Sequence, residues 1–401
     1  MERLLPTLCS SHGAPPAADP GWWQELENAG PEQVMRWWDQ GVQTPVTGEP
    51  FWFDGQQVCE VTFVVEQADP RTEVMVHLNG LTDRHREDIT PALMHPVPGT
   101  PLRRLSYLLS ADGSYGYRLV SDSPIDRHAG RSRPGWLAIH QAGQPDPGNP
   151  RRLPHARGGT SSIWSGPLAV STPGWDERDG VAETGWLDLE VVHTDGLHRR
   201  LWLHRPDSAE KTTDTLLVVH DGAMWRRLGL RRALAANGFG HVPVVLIDSI
   251  SLDQRAADLP VPERIGTITA DVLNAVADRL GHRPNPAHTL IAGQSFGGLA
   301  AAATLARYSH LARSAIVQSG SFWWHPEGGE RLVDQQAGDL SGARVVLQAG
   351  TDEPNMIALA EEAAAWLGTH GATTSVTPWR GGHDYAWWRH GLIQGLRELL
   401  G

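Results

Sequence analysis

The chain changes its hydrophobic rhythm near residue 185. Before that point, short runs alternate apolar and polar positions: VCEVTFVVE (58–66), EVMVHLNG (73–80), RRLSYLLS (103–110) and GSYGYRLVS (113–121). Each ends in Gly, Asn, Asp or Pro. A period of two places one apolar face on a core, so these runs predict antiparallel strands of a small sandwich of immunoglobulin-like type. The stretch PEQVMRWWDQ (31–40) predicts a helix that packs its tryptophan pair. Residues 121–182 are rich in Pro, Gly, Arg and Ser and read as a long, loop-rich connection.

After residue 185 the pattern becomes continuous apolar runs alternating with helical periodicity. TLLVVHDG (215–222), VPVVLIDS (242–249), TLIAG (289–293), ARSAIVQSG (312–320), ARVVLQAG (343–350) and 373–379 predict buried strands. ITADVLNAVADRL (268–280), LAAAATLARY (299–308), ALAEEAAAWLGTHG (358–371) and 387–400 predict helices. Strand and helix in repeated alternation give an α/β doubly wound, mostly parallel sheet. The expected organisation is therefore a sandwich domain with its Pro/Gly-rich linker over 1–180 and an α/β domain over 181–401.

Composition narrows the function. The length of 401 residues suits two domains. A formal net charge of −12 argues against nucleic acid as a partner, which needs a basic footprint, yet local arginines can still hold a small anion. No run reaches the ~20 apolar residues of a membrane helix, and the N-terminus lacks the make-up of a signal peptide, so the expected location is cytoplasmic. Cys9 and Cys59 fit no metal spacing and read as two reduced thiols. No metal or cofactor is expected. Seventeen tryptophans, several in adjacent pairs, suit either core packing or an aromatic ligand surface.

The candidate chemistry sits at Gly293-x-Ser295-x-Gly297, between a predicted strand and a predicted helix. That context is a nucleophile elbow, in which the flanking glycines let the serine turn sharply and the helix start supplies N–H groups. Ser295 is the expected nucleophile and the Phe296 amide an oxyanion donor. A base should lie between the last strand and last helix, where His383 stands in WRGGHDYAWWRHG (379–391). The acid should follow the strand ARVVLQAG, where Asp352 and Glu353 are adjacent; spacing does not choose between them. The second oxyanion donor should come from HDGAMW (220–225), with the Ala223 amide the choice and Gly222 making room. Asp248, at a strand end, would support the site or cap a turn.

These blocks form a longer string. HDGAMW, VLIDSISLDQRAADLP, AGQSFGGL, QSGSFWW, AGTDEP and GGHDYAWWRHGLIQGL, in this order, resemble the enterochelin esterase family over residues 215–401. NGLTDRHR (79–86), GSYGYR (113–118) and DPGNP (146–150) resemble the family's N-terminal half. The resemblance implies a serine esterase that opens the ester bonds of a catecholate siderophore of enterobactin type, releasing its iron inside the cell, with iron entering only as part of the substrate. It implies Ser295 as nucleophile, His383 as base and Glu353, counted from the glycine of AGxxEP, as acid. It places Arg255 near the substrate. Asp258 stands where the family tends to carry glutamate, and Val261-Pro262 where it carries Cys-Asn. A ferric tris-catecholate is anionic with broad aromatic faces, so Arg255, Arg389, Trp225, Trp324 and Trp388 are expected to line its pocket. Two other readings stand beside this one: a serine carboxylesterase for another small or phenolic ester, and a non-catalytic siderophore binder on a hydrolase scaffold.

Overall fold

The computed structural model describes residues 15–156, 158–178, 182–206 and 214–401. The reading of the N-terminus, the Cys9 thiol and the 180/181 domain boundary lie outside the described residues. Cys59 is buried with a free thiol.

Two antiparallel sheets form the N-terminal half. One orders Val46–Thr47, Gln56–Glu66, Leu102–Ser110 and His95–Pro96, with Phe51–Phe53 also paired to the long second strand. The other orders Glu73–Leu78, Ser114–Asp122, Thr160–Ser165 and Arg152–Pro154. Alternate residues of both meet in one core, where Val61, Phe63 and Leu105 face Val76, Tyr117 and Trp164. Phe63 and Tyr117 touch edge to face across the gap, with centroids 5.0 Å apart. Alternation thus becomes a β-sandwich because each sheet hides one face on the other.

The opposite face of the first sheet is covered by helices Gly21–Asn28 and Pro31–Trp38. Trp22, Trp23, Trp37 and Trp38 pack there with Val64, Val97 and Leu102. These tryptophans serve packing.

The connection expected to be loop is largely structured. It contains the helix Arg133–Ala142 and the strands Arg152–Pro154 and Thr160–Ser165. Ser132 caps the helix by accepting the Gly135 N–H, and Pro134 occupies its first turn, where a missing N–H costs nothing. The prolines and glycines that suggested loop mark the ends of these elements. Within DPGNP, Asp146 accepts from Thr44 and Tyr117, and Asn149 donates to Tyr117 and to the Ile163 carbonyl. That stretch locks the sandwich edge.

The second half is an eight-stranded sheet. Its strands in chain order are Leu187–Val192, His198–His204, Leu216–Val219, Val244–Ile247, Thr289–Gln294, Ser314–Gln318, Arg344–Gly350 and Thr373–Trp379. Their spatial order is first, second, fourth, third, then fifth to eighth. The first two strands and the fourth pair antiparallel; all other pairs are parallel. This is an α/β-hydrolase-like sheet. Val245 and Ile247 point to one core beneath helices Pro262–Leu280, Phe296–Arg307 and Met356–Thr369, and Val244 and Leu246 to another beneath Gly222–Leu228, Leu230–Ala236 and Tyr385–Leu400. Burial on both faces explains why the central strands are apolar throughout. No described helix is long and apolar enough to cross a membrane.

Candidate active site

The strand Thr289–Gln294 ends directly in Ser295, and the helix Phe296–Arg307 starts on the next residue. Ser295 has φ 58° and ψ −122°, a strained conformation for a residue with a side chain. The flanking glycines leave little room for one: a Cβ on Gly293 would collide with the Gly297 carbonyl oxygen at 2.2 Å, and one on Gly297 would lie tightly, 3.2 Å from the His220 Cβ. Ser295 N donates to the Gln318 carbonyl, and Oγ lies 3.4 Å from the Ser321 hydroxyl. The Phe296 N–H belongs to the first helical turn, which has no intrahelical acceptor for it.

His383 lies between the last strand and the last helix. Its Nδ1 is hydrogen-bonded to Glu353 Oε2, which leaves Nε2 as the nitrogen available for a substrate proton. Glu353 is buried and fixed from behind, since Oε1 accepts the Ser319 hydroxyl at 2.5 Å and the Gly350 N–H at 2.9 Å. The edge of Trp388 meets the His383 ring at a centroid distance of 4.8 Å. Asp352, one residue earlier, points elsewhere. It accepts the Tyr115 hydroxyl at 2.6 Å and Arg84 Nη2 at 3.0 Å, both from the sandwich.

The sandwich grips the histidine loop along its length. Ser114 N–H donates to the Arg380 carbonyl, Gly116 N–H to Asp384 Oδ2, and Asn79 Nδ2 to the His383 carbonyl. Gly80 and Gly382 let the two backbones touch: a Cβ on Gly80 would lie 2.6 Å from the Gly382 Cα. Asp384 also caps the last helix through the Ala386 N–H. Burial pushes its carboxyl up to about 6 against the pull of these two N–H groups. Nothing in the sequence reading singled out Asn79, Ser114, Ser319 or Asp384, because each acts through a contact between segments remote in the chain.

Ser295 and His383 line one cavity of about 660 Å³ between the sandwich and the C-terminal ends of the sheet strands, where α/β sheets bind ligands. Ala223, Asp248, Arg255 and Trp388 line it too. Ala223 is in the first turn of helix Gly222–Leu228, after Asp221 in a left-handed conformation. The room Gly222 makes is toward the sheet, since a Cβ there would lie 2.7 Å from Leu246 Cβ. Arg255 is paired side-on with Asp221, at 2.6 and 2.8 Å, and also donates to the Gln294 carbonyl. Burial opposes the Asp221 charge, but Arg255 and Ser249 hold its carboxyl below the ordinary range. Arg255 is thus a brace beneath the elbow as well as a wall of the cavity.

Three expected ligand contacts lie elsewhere. Arg389 is fully buried in the last helix and paired with Glu177 at 2.5 Å. Trp225 is fully buried against Trp175 and Tyr385. Trp324 leans on Phe296 and lines a separate recess of about 210 Å³ with Pro260, Val261 and Pro262. Helical phase explains the first two: each lies on the face its helix turns to the core. Asp258 is also outside the cavity, buried between Arg199 and Arg264.

The cations that do face the cavity include Arg118 and Arg227. Arg118 donates to the His140 carbonyl and Arg227 to the Gly159 carbonyl. Burial presses both guanidinium groups below their ordinary range, a cost that a bound anion would relieve.

Comparison with known proteins agrees with this architecture. The family model "Enterochelin esterase, N-terminal" matches residues 60–175, and an esterase domain model matches 262–399. The iron(III) enterobactin esterase of Escherichia coli K12 is 29% identical over 94% of this chain and 95% of its own. The iron(III) salmochelin esterase of Escherichia coli O6:H1 is 28% identical over 89% of this chain and 90% of its own. Among solved structures, the ferric enterobactin esterase of Salmonella typhimurium superposes with a TM-score of 0.75 at 26% identity, covering 91% of this chain and 99% of that one. The Shigella flexneri enterobactin esterase, solved in the presence of 2,3-dihydroxy-N-benzoyl-serine, gives 0.72 at 25% identity over 91% and 97%. The chain belongs to the enterochelin esterase family.

Proposed function

We propose that the chain is a serine esterase that hydrolyses ester bonds of a catecholate siderophore of enterobactin type, with iron entering as part of the substrate, and that it acts in the cytoplasm. The observation that carries the reading is that Ser295 and the Glu353-bound His383 line one cavity, in a chain whose relatives over nearly full length are named for this reaction. In this reading residues 1–180 form an immunoglobulin-like sandwich with its linker and 181–401 the catalytic domain.

Ser295 Oγ attacks the ester carbonyl while His383 Nε2 takes its proton. Glu353 holds the imidazole by Nδ1 and stabilises the imidazolium that forms. The tetrahedral oxyanion is met by the N–H groups of Phe296 and Ala223, which the helix starts orient. The imidazolium then returns the proton to the leaving serine alkoxide, the C–O bond breaks and an acyl-enzyme remains. Water, deprotonated by His383, releases the acid and restores Ser295. Arg118, Arg227 and the edge of Trp388 suit the anionic, aromatic catecholates. Because Arg255 is already neutralised by Asp221, its share in ligand binding is through the pocket wall.

Mass spectrometry of products from purified protein tests this reading. Incubation with ferric and iron-free catecholate trilactone is expected to release linear and monomeric catechoyl-serine units. Hydrolysis of a simple aryl ester with both trilactones left intact would assign the site to another ester.

A further inference from the structure

The sandwich wall of the cavity carries three donors that the ester chemistry does not use. His77 comes from strand Glu73–Leu78, Asp83 from the 3-10 turn Thr82–His85 and His140 from helix Arg133–Ala142. All three line the same cavity as Ser295. His77 Nε2 is 3.3 Å and His140 Nε2 3.6 Å from Asp83 Oδ1, and one donor atom from each residue lies within 4.8 Å of the others. Donors about 2.1 Å from a tetrahedral zinc ion are roughly 3.4 Å apart, so two of the three edges already have that length.

The surroundings hold the donors in place. Asp83 Oδ2 accepts the Gly80 N–H at 2.7 Å, and Oδ1 accepts the Trp136 indole N–H at 2.9 Å. Outer donors of this kind orient ligating carboxylates. The Trp136 ring meets both imidazoles edge-on, at centroid distances of 5.3 and 5.4 Å, and restrains their rotation.

We infer that His77, Asp83 and His140 form a binding site for a divalent transition-metal ion on the wall of the active-site cavity. Two imidazoles and one carboxylate suit zinc, iron(II) or nickel; calcium and magnesium want an all-oxygen shell. Three protein donors leave coordination positions open, and these face the cavity, where oxygen atoms of a bound ligand can take them. The inference stands apart from the ester chemistry, since none of the three residues is Ser295, His383 or Glu353.

The test uses the untagged full chain, stripped with chelator. Zinc is titrated by calorimetry, and cobalt(II) by its visible absorption. The expected result is one equivalent of zinc, and cobalt bands of low coordination number. Affinity should fall at least about tenfold in His140→Ala and in Asp83→Asn, with folding followed by circular dichroism. Ser295→Ala should bind zinc like the unaltered chain, which separates this site from the esterase reading. His140→Ala changes a side chain on a surface helix, so it keeps the test open if Asp83→Asn unfolds. Absence of a stoichiometric zinc site, or undiminished binding in the folded His140→Ala chain, would overturn the inference.

Discussion

Removing charge from Glu353 and from Asp352 separates their tasks. Glu353→Gln takes the anion from beside His383 and can reverse the imidazole tautomer, so kcat should fall by roughly 10²–10⁴-fold with KM little changed. Asp352→Asn should leave kcat within about threefold and lower stability by about 3 kcal/mol, because it breaks a buried pair with Arg84. Steady-state kinetics and urea denaturation of both variants check this, and the opposite pattern would make Asp352 the acid. Adjacent carboxylates in one loop are alike in sequence; only the partners Tyr115 and Ser319, 237 and 34 residues away, distinguish them.

Two buried histidines give the stability a pH dependence. Burial first, then Arg389, pushes His390 down to about 3, and burial pushes His220 down to about 4. His390 Nδ1 accepts the Thr172 N–H, which requires the neutral ring. The unfolded chain binds protons near pH 6.5 that the folded chain refuses. The stabilising contribution is therefore complete above 6.5 and is lost as pH falls toward the folded values. Each histidine should cost about 2 kcal/mol between pH 7 and 5. His390→Gln, whose amide oxygen can accept from Thr172, should flatten this fall in denaturation midpoints, and an unchanged slope would refute the assignment.

At the scale of elements, the elbow depends on contacts too close for any side chain. Gly293→Ala places a methyl against the Gly297 backbone and should cost more than about 2 kcal/mol, with esterase activity lost in whatever fraction folds. Thermal unfolding and activity of this variant check the claim; wild-type values for both would contradict it. Strand and helix types around the elbow were legible because central parallel strands are apolar and their helices keep a 3.6-residue period. The first two strands of the sheet went unread: Leu187–Val192 is an edge strand with mostly exposed positions, so its apolar pattern is weak. The helix at 133–142 was hidden by the Pro and Gly that delimit it. Ser295 and His383 were legible because the fold fixes their places in chain order. Arg118 and Arg227 were not, since a cavity between two halves of the chain is visible only once the halves are docked.

At the scale of the molecule, the sandwich is both wall and clamp. It supplies Asn79 and Arg118 to the cavity and holds the loop of His383 through Ser114, Gly116 and Asn79. The chain carries −12 overall, so an anionic siderophore meets repulsion at long range and attraction only inside. Arg118→Ala and Arg227→Ala should each raise KM for the ferric catecholate about tenfold while leaving KM for a neutral aryl ester within about twofold. Equal effects on both substrates would make these arginines structural.

The central claim is that Ser295 attacks a siderophore ester. Its most direct test is rapid-quench mass spectrometry of the intact protein during turnover of ferric catecholate trilactone. The account predicts a transient acyl adduct on the peptide containing Ser295, and Ser295→Ala that still binds the siderophore but forms neither adduct nor product. Product formation by Ser295→Ala at the unaltered rate would contradict it.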